Sequence, residues 1–143
     1  MNMREDLHKS GEDYLEAVLI LTKQKGRVRS IDVAEYLNFS KPSICNAVSL
    51  LRKSGYLEMN TDHFLFLTKN GRAIAEEIYE RHCFFTELLE SVGVDHKTAE
   101  ADACAMEHDI SSVSFKHLEQ AIHSCAAHRI MQAKRKRQGR NEF

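Results

Sequence analysis

Proline occurs once in this sequence, as Pro42, and glycine only six times. With so little glycine there is no phosphate-cradling loop, and neither an H-E-x-x-H helix nor a nucleophile elbow is present, so no enzyme is expected and no catalytic residue is assigned. The four cysteines, Cys45, Cys83, Cys104 and Cys125, form no C-x-x-C pair, which excludes a zinc ribbon and a redox dithiol. In a reducing cytosol they are thiols, and Cys45, Cys83 and Cys125 are expected to be small buried hydrophobes. No run approaches the roughly 18 apolar residues of a membrane span. The start, Met1-Asn2-Met3-Arg4-Glu5-Asp6, lacks the apolar core of a signal peptide. A cytoplasmic location with no membrane partner is expected, and no internal repeat is visible.

What is present is the composition of a soluble globular chain, 43% hydrophobic over 143 residues, enough for one ordinary domain or two small units. The net charge of −1 hides a strong segregation. Lys23 to Arg72 holds nine Lys/Arg against four Asp/Glu, or +5, whereas Ala73 to His128 holds three against eleven, or −8. The first stretch suits a polyanion and the second suits cations. The end turns basic again through Arg129, Lys134, Arg135, Lys136, Arg137 and Arg140; with Gly139 and no apolar periodicity after Met131 it reads as a mobile, basic tail.

Residues 10 to 25 read as a helix capped by Ser10, with Leu15, Val18, Leu19 and Thr22 at helical spacing and Gly26 as the stop. Asp13 and Glu16, three apart near its start, serve the helix macrodipole or bind something. Ser30 to Leu37 is a short helix. Ser40 caps a longer one that carries Pro42 in its first turn, where a missing N–H costs little, and the pair has helix-turn-helix spacing. Ile44, Ala47, Val48 and Leu51 make the second helix's buried stripe, leaving Lys41, Ser43, Asn46, Ser49 and Lys53 outside. Asn can bond adenine edges and Ser or Lys can hold phosphates, although a merely solvated face has a similar composition. Gly55 ends this helix. Tyr56-Leu57-Glu58-Met59 and Phe64-Leu65-Phe66-Leu67 then flank the turn Asn60-Thr61-Asp62-His63 as a hairpin. A helix-turn-helix followed by a hairpin is a winged helix, and the local charge of +5 makes it a DNA-binding one. Arg29, Ser40, Lys41, Pro42, Ser43, Asn46, Ser49 and Lys53 are assigned to the DNA face.

Thr68 caps a long helix from about Lys69 to Ser91, closed by Gly93. Its apolar line is Ile74, Ile78, His82, Phe85, Leu89 and Val92, and the histidine among these hydrophobes is either a satisfied core residue or a ligand. A helix from about Lys97 to Asp109 follows, and Phe115, Leu118, Ala121 and Ile122 mark a last one. Three helices with apolar faces exceed what a small winged helix can cover, so self-association is expected. Cys104-Ala105-Met106-Glu107-His108 places a thiol, a carboxylate and an imidazole at i, i+3 and i+4, on one face of a helix. They are either three metal ligands or a polar helix end.

Glu12-Asp13-Tyr14-Leu15-Glu16, Ser40-Lys41-Pro42-Ser43, Leu67-Thr68-Lys69-Asn70-Gly71, Arg81-His82 and the Cys104 to His108 run, in this order, resemble the diphtheria toxin repressor family of metal-dependent transcriptional regulators, which includes iron-dependent regulators and manganese transport regulators. The resemblance covers about Ser10 to Ile122. It implies a mainly α fold with a small β-wing: a winged helix-turn-helix DNA-binding domain over 1–71, a helical metal-binding and dimerisation domain over 72–128, and the basic tail over 129–143. It also implies a homodimer that binds a palindromic operator when a divalent metal is bound, with no organic substrate. The implied ligands are Asp13, Glu16, His82, Cys104, Glu107 and His108. One ion would be held by Asp13, Glu107, His108 and Cys104 through its sulfur, its carbonyl oxygen or both; a second would use Glu16, His82 and a shared Glu107. Asp13 and Glu16 match the manganese type, in which both acids are ligands, whereas Cys104 matches the iron type, since manganese-type members usually carry a bridging Glu there. Thr86 and Glu100 stand where a Glu and a His of the iron-type second site are expected, and an SH3-like third domain is not expected. The resemblance therefore implies Mn(II) or Fe(II), one or two ions per subunit, with Co(II) or Zn(II) able to substitute. Neutral imidazole and ionised thiol are required, so affinity should fall below about pH 6.5. The rival reading is a winged-helix regulator that answers to a small organic ligand or to oxidation of Cys104.

Overall fold

The computed structural model describes Leu7 and residues 9–138. Its elements run α1 (Lys9–Lys25), α2 (Ser30–Leu37), α3 (Lys41–Lys53), β1 (Leu57–Met59), β2 (Leu65–Leu67), α4 (Lys69–Ser91), α5 (His96–Met106), α6 (Ser112–His123) and α7 (Ala126–Gln138). The mainly helical fold with a two-stranded wing is the expected one. The chain divides into two compact units, with the boundary inside α4 between Tyr79 and Glu80.

In the first unit, local chemistry sets each boundary. Ser40 accepts from Ser43 N at 3.4 Å to cap α3, and Pro42 sits in its first turn, where the lost donor has no helical acceptor to miss. Arg29 N donates to the Asp32 carboxylate at 2.8 Å at the start of α2. That backbone donor, opposed by partial burial and aided by Lys25, holds the Asp32 carboxyl below the usual range. Asn38 ends α2 in the left-handed conformation at φ 56°, which a short polar side chain tolerates. β1 and β2 pair antiparallel with Leu57 opposite Leu67, and Arg29 bridges Phe64 to extend the wing. One apolar core binds these pieces, centred on Leu15, Val18 and Leu19 of α1, Val28, Val33, Ile44, Leu57, and Ile74 and Ile78 of α4. Gly71 lets α4 start against the wing: a Cβ there would lie 2.0 Å from the Tyr56 carbonyl oxygen.

In the second unit a smaller core forms around Phe85, Ala103 and Phe115, with Phe84, Leu88 and Ile110 packed against it. Phe84, Phe85 and Phe115 meet edge to face, with centroids 5.2 to 5.9 Å apart, the geometry that ring quadrupoles favour. Ser111 caps α6, accepting from Ser114 N at 3.1 Å. Val92, Met106, Val113 and Leu118 remain exposed.

Three expectations are corrected. Cys45 and Cys125 are exposed and Cys83 is half-buried, so none is a core hydrophobe; Cys45 falls outside the Ile44, Val48 and Leu51 stripe. Val92 lies one residue beyond the end of α4 and is 73% exposed, so it leaves the apolar line. Residues 126–138 are helical although the basic stretch carries no apolar period. There Lys134 donates to the Ser91 carbonyl at 3.1 Å and Arg135 pairs with Glu87, both residues of α4. Gly139 and Arg140 lie outside the described residues.

Candidate metal centre and nucleic-acid face

In the second unit the expected ligands gather around one buried carboxylate. Helix α5 ends at Met106, earlier than Asp109, so Glu107 is its C-cap and His108 stands in the turn beyond. Glu107 keeps helical angles, φ −62° and ψ −27°, which preserves the i, i+3, i+4 clustering past the helix end. Ligand atoms of Cys104, Glu107 and His108 lie within 4.8 Å of one another. Glu107 is fully buried. Its Oε2 is 2.9 Å from Nδ1 of His82 on α4, and its Oε1 is 3.2 Å from Nε2 of His108. Burial is the largest influence on this carboxyl and pushes it up, but the His108 and His82 rings together outweigh it and hold Glu107 below the usual carboxylate range.

The fit of these groups to a divalent ion follows from the atoms themselves. Oε1 of Glu107 is buried and completes no hydrogen bond, despite the nearby His108 ring, which is costly for an anionic oxygen unless a cation reaches it. A neutral His82 that donates through Nδ1 to Oε2 presents Nε2 as a lone pair, the arrangement that orients imidazole for a metal. One carboxylate, two imidazoles and a thiol suit Mn(II), Fe(II), Co(II) or Zn(II) rather than Ca(II) or Mg(II). Thr86 is buried and its hydroxyl has no hydrogen-bond partner among the described residues. Glu100 is exposed, 3.6 Å from Nε2 of His96, which Glu90 meets on the other nitrogen at 2.5 Å.

In the first unit Asp13 is half-buried and Glu16 buried on α1, one turn apart on one face. The Asp13 charge, after burial, raises the Tyr14 hydroxyl.

The expected DNA face is exposed along α3: Ser40, Lys41, Pro42, Ser43, Asn46, Ser49 and Lys53 all stand in solvent. Ser40 and Ser43 also bond each other, Oγ to Oγ at 2.9 Å. Arg29 is exposed, its guanidinium 4.4 Å from the Phe64 ring centre, and Arg27 approaches the same ring at 5.4 Å. Ser49, Arg52 and Lys53 line a groove with Leu57, Glu58 and Met59 of β1. Arg27 and Arg52 were not singled out in the sequence; only the regional charge pointed to them.

A winged helix followed by a helical unit in which two imidazoles and a thiol stand about one buried carboxylate defines a winged-helix protein equipped to take a transition metal. The residues match two family descriptions in register: 6–64 the N-terminal DNA binding domain of the iron dependent repressor, and 68–129 the metal binding and dimerisation domain of the iron dependent repressor. The chain belongs to the iron dependent repressor family. It is 34% identical over 102 residues to the HTH-type transcriptional regulator MntR of Geobacillus kaustophilus, covering 71% of this chain and 72% of that protein. It is likewise 34% identical over 100 residues to the transcriptional regulator MntR of Escherichia coli, covering 70% of this chain and 64% of that protein; the chain thus spans less than two thirds of that relative. The manganese regulator SloR shares the fold at 22% identity and a TM-score of 0.70, over 80% of this chain and 54% of that one. No described helix is long and apolar enough to cross a membrane.

Proposed function

We propose that the protein is a metal-dependent transcriptional regulator, a repressor, that binds a palindromic operator as a homodimer when Mn(II) or Fe(II) is bound. It acts by binding, in the cytoplasm, and performs no catalysis. The observation that carries this reading is Glu107, a buried carboxylate faced by two imidazoles, one of whose own oxygens, Oε1, no hydrogen bond satisfies. Cys104, Glu107 and His108 supply one part of the ligand set, and His82 shares Glu107 for a second ion. Asp13 and Glu16 of α1 complete the two sites. The bound ion supplies the positive charge that lets these acids come together. Because α1 contributes buried residues to the winged-helix core, ligation through Asp13 and Glu16 ties the DNA-binding domain, 1–71, to the metal-binding and dimerisation domain, 72–128. One interdomain spacing is selected, the one at which two recognition helices meet successive major grooves roughly 34 Å apart. The exposed Val92, Met106, Val113 and Leu118 support self-association of the second domain. Arg29, Ser40, Lys41, Pro42, Ser43, Asn46, Ser49 and Lys53 face the DNA.

The test is operator binding, with DNA selected from a random pool and followed by fluorescence anisotropy. Binding is expected to be weak in EDTA and restored by Mn(II) or anaerobic Fe(II), with Co(II) or Zn(II) able to substitute. Binding of equal strength in EDTA and in every metal overturns the reading, and is the result a regulator answering to an organic ligand or to oxidation of Cys104 would give.

A further inference from the structure

Arg81, next to His82 on α4, is 1% exposed and among the largest fully buried side chains of the molecule. Taking a guanidinium out of water carries a large desolvation cost, which only well-made hydrogen bonds offset. Its Nη1 donates to the Glu107 carbonyl at 3.0 Å and to the Ile110 carbonyl at 2.6 Å, and its Nη2 donates to Ser112 Oγ at 3.0 Å. The guanidinium carbon lies 5.5 Å from the centre of the Phe115 ring. The Glu107 carbonyl, at the C-cap of α5, is one of those a helix end leaves in need of a donor, and Arg81 supplies it while also reaching Ile110 in the turn and Ser112, the first residue of α6. Consecutive residues of one helix thus grip the same turn: Arg81 holds its backbone, and His82 meets the Glu107 carboxylate at 2.9 Å.

We propose that Arg81 is a positioning residue for metal binding, whose guanidinium fixes the 107–112 turn so that Glu107 and His108 stand in ligating geometry before an ion arrives. This rests on the metal-binding reading above. The role depends on the fork of donors in one plane: a lysine offers a point charge on a flexible stem and cannot bridge two carbonyls and a hydroxyl at once. Residues that orient ligands without touching the ion commonly change affinity by about 10- to 100-fold when replaced.

The experiment compares wild type, Arg81→Lys and Ser112→Ala. Ser112→Ala removes one acceptor of Arg81 and leaves the Ser111 cap of α6 in place, so it covers the case in which Arg81→Lys fails to fold. Mn(II) affinity is read by chelator competition on folded protein, and hydrogen exchange of residues 107–112 is read in EDTA. Arg81→Lys is expected to weaken Mn(II) binding by about 10- to 100-fold and to speed exchange in 107–112, with Ser112→Ala shifting both in the same direction by less. Wild-type Mn(II) affinity in a folded Arg81→Lys, or in Ser112→Ala if Arg81→Lys does not fold, overturns the positioning role and leaves the metal site standing, even if thermal stability has dropped. Absence of Mn(II) binding in wild type itself overturns the metal site and, with it, the role given to Arg81.

Discussion

Glu107→Gln tests the metal centre at its middle, because the substitution keeps the side chain's size and removes only its charge. The carboxylate is fully buried and meets two imidazoles, at 2.9 and 3.2 Å. A hydrogen bond to a charged group contributes roughly 1.5–3 kcal/mol and a neutral one about 0.5–1.5 kcal/mol, so the amide forfeits part of the Oε2 contact with His82 and the charge attraction of Oε1 to the His108 ring, while escaping the desolvation of a buried charge. Which effect wins is decided by the direction of titration. Glu107 is held below its ordinary value of 4.5, so the folded protein favours the ionised group more than water does, and neutralising it must destabilise. The expected loss is about 1–2 kcal/mol in urea denaturation at pH 7 in EDTA. A carboxyl depressed by folding contributes stability that is present above its unfolded value and lost as pH falls through the lower folded one; the gap between variant and wild type should therefore shrink below pH 4.5. Mn(II) affinity should fall at least ~100-fold, beyond the range for groups that only orient ligands. Equal stability at pH 7, or a gap that goes on widening below pH 4.5, would refute the electrostatic reasoning; unchanged Mn(II) affinity would remove Glu107 from the site.

Other predictions address single atoms. Cys104→Glu replaces a soft donor with a hard one, so metal ranking in operator binding should move toward Mn(II) over Zn(II); an identical ranking means the sulfur is not a ligand. Asn46→Ala should weaken specific operator binding by about 1–3 kcal/mol while non-specific binding changes little, and equal losses on both DNAs would make Asn46 a bystander. Gly71→Ala sets a Cβ 2.0 Å from the Tyr56 carbonyl oxygen, where backbone rather than a yielding side chain must move. The expected cost is about 3 kcal/mol, the upper part of the range for overpacking, and a loss under about 0.5 kcal/mol by chemical denaturation would mean that α4 and the wing are not held as described.

The sequence by itself determined what neighbours along the chain decide. Ser40 and Pro42 start α3, Gly55 ends it and Thr68 precedes α4 because capping and turn chemistry act within four residues. The exposed row of Lys41, Ser43, Asn46, Ser49 and Lys53 followed from helical period alone. The clustering of Cys104, Glu107 and His108 followed from spacing too, and it survived the early end of α5 because Glu107 retains helical angles. Tertiary structure decided the rest, since burial and long-range partners have no local signature. Nothing in the spacing of Cys45 or Cys125 revealed that both face solvent. The basic stretch after Met131 had no apolar period to mark a helix, and two of its contacts are with Glu87 and Ser91, some forty residues earlier. Arg81 could be seen beside His82, but not that it would be buried under Phe115 with its donors on the turn after α5. Spacing put a carboxylate and an imidazole side by side; the fold buried the carboxylate between two rings, and that burial makes the cluster chemically demanding.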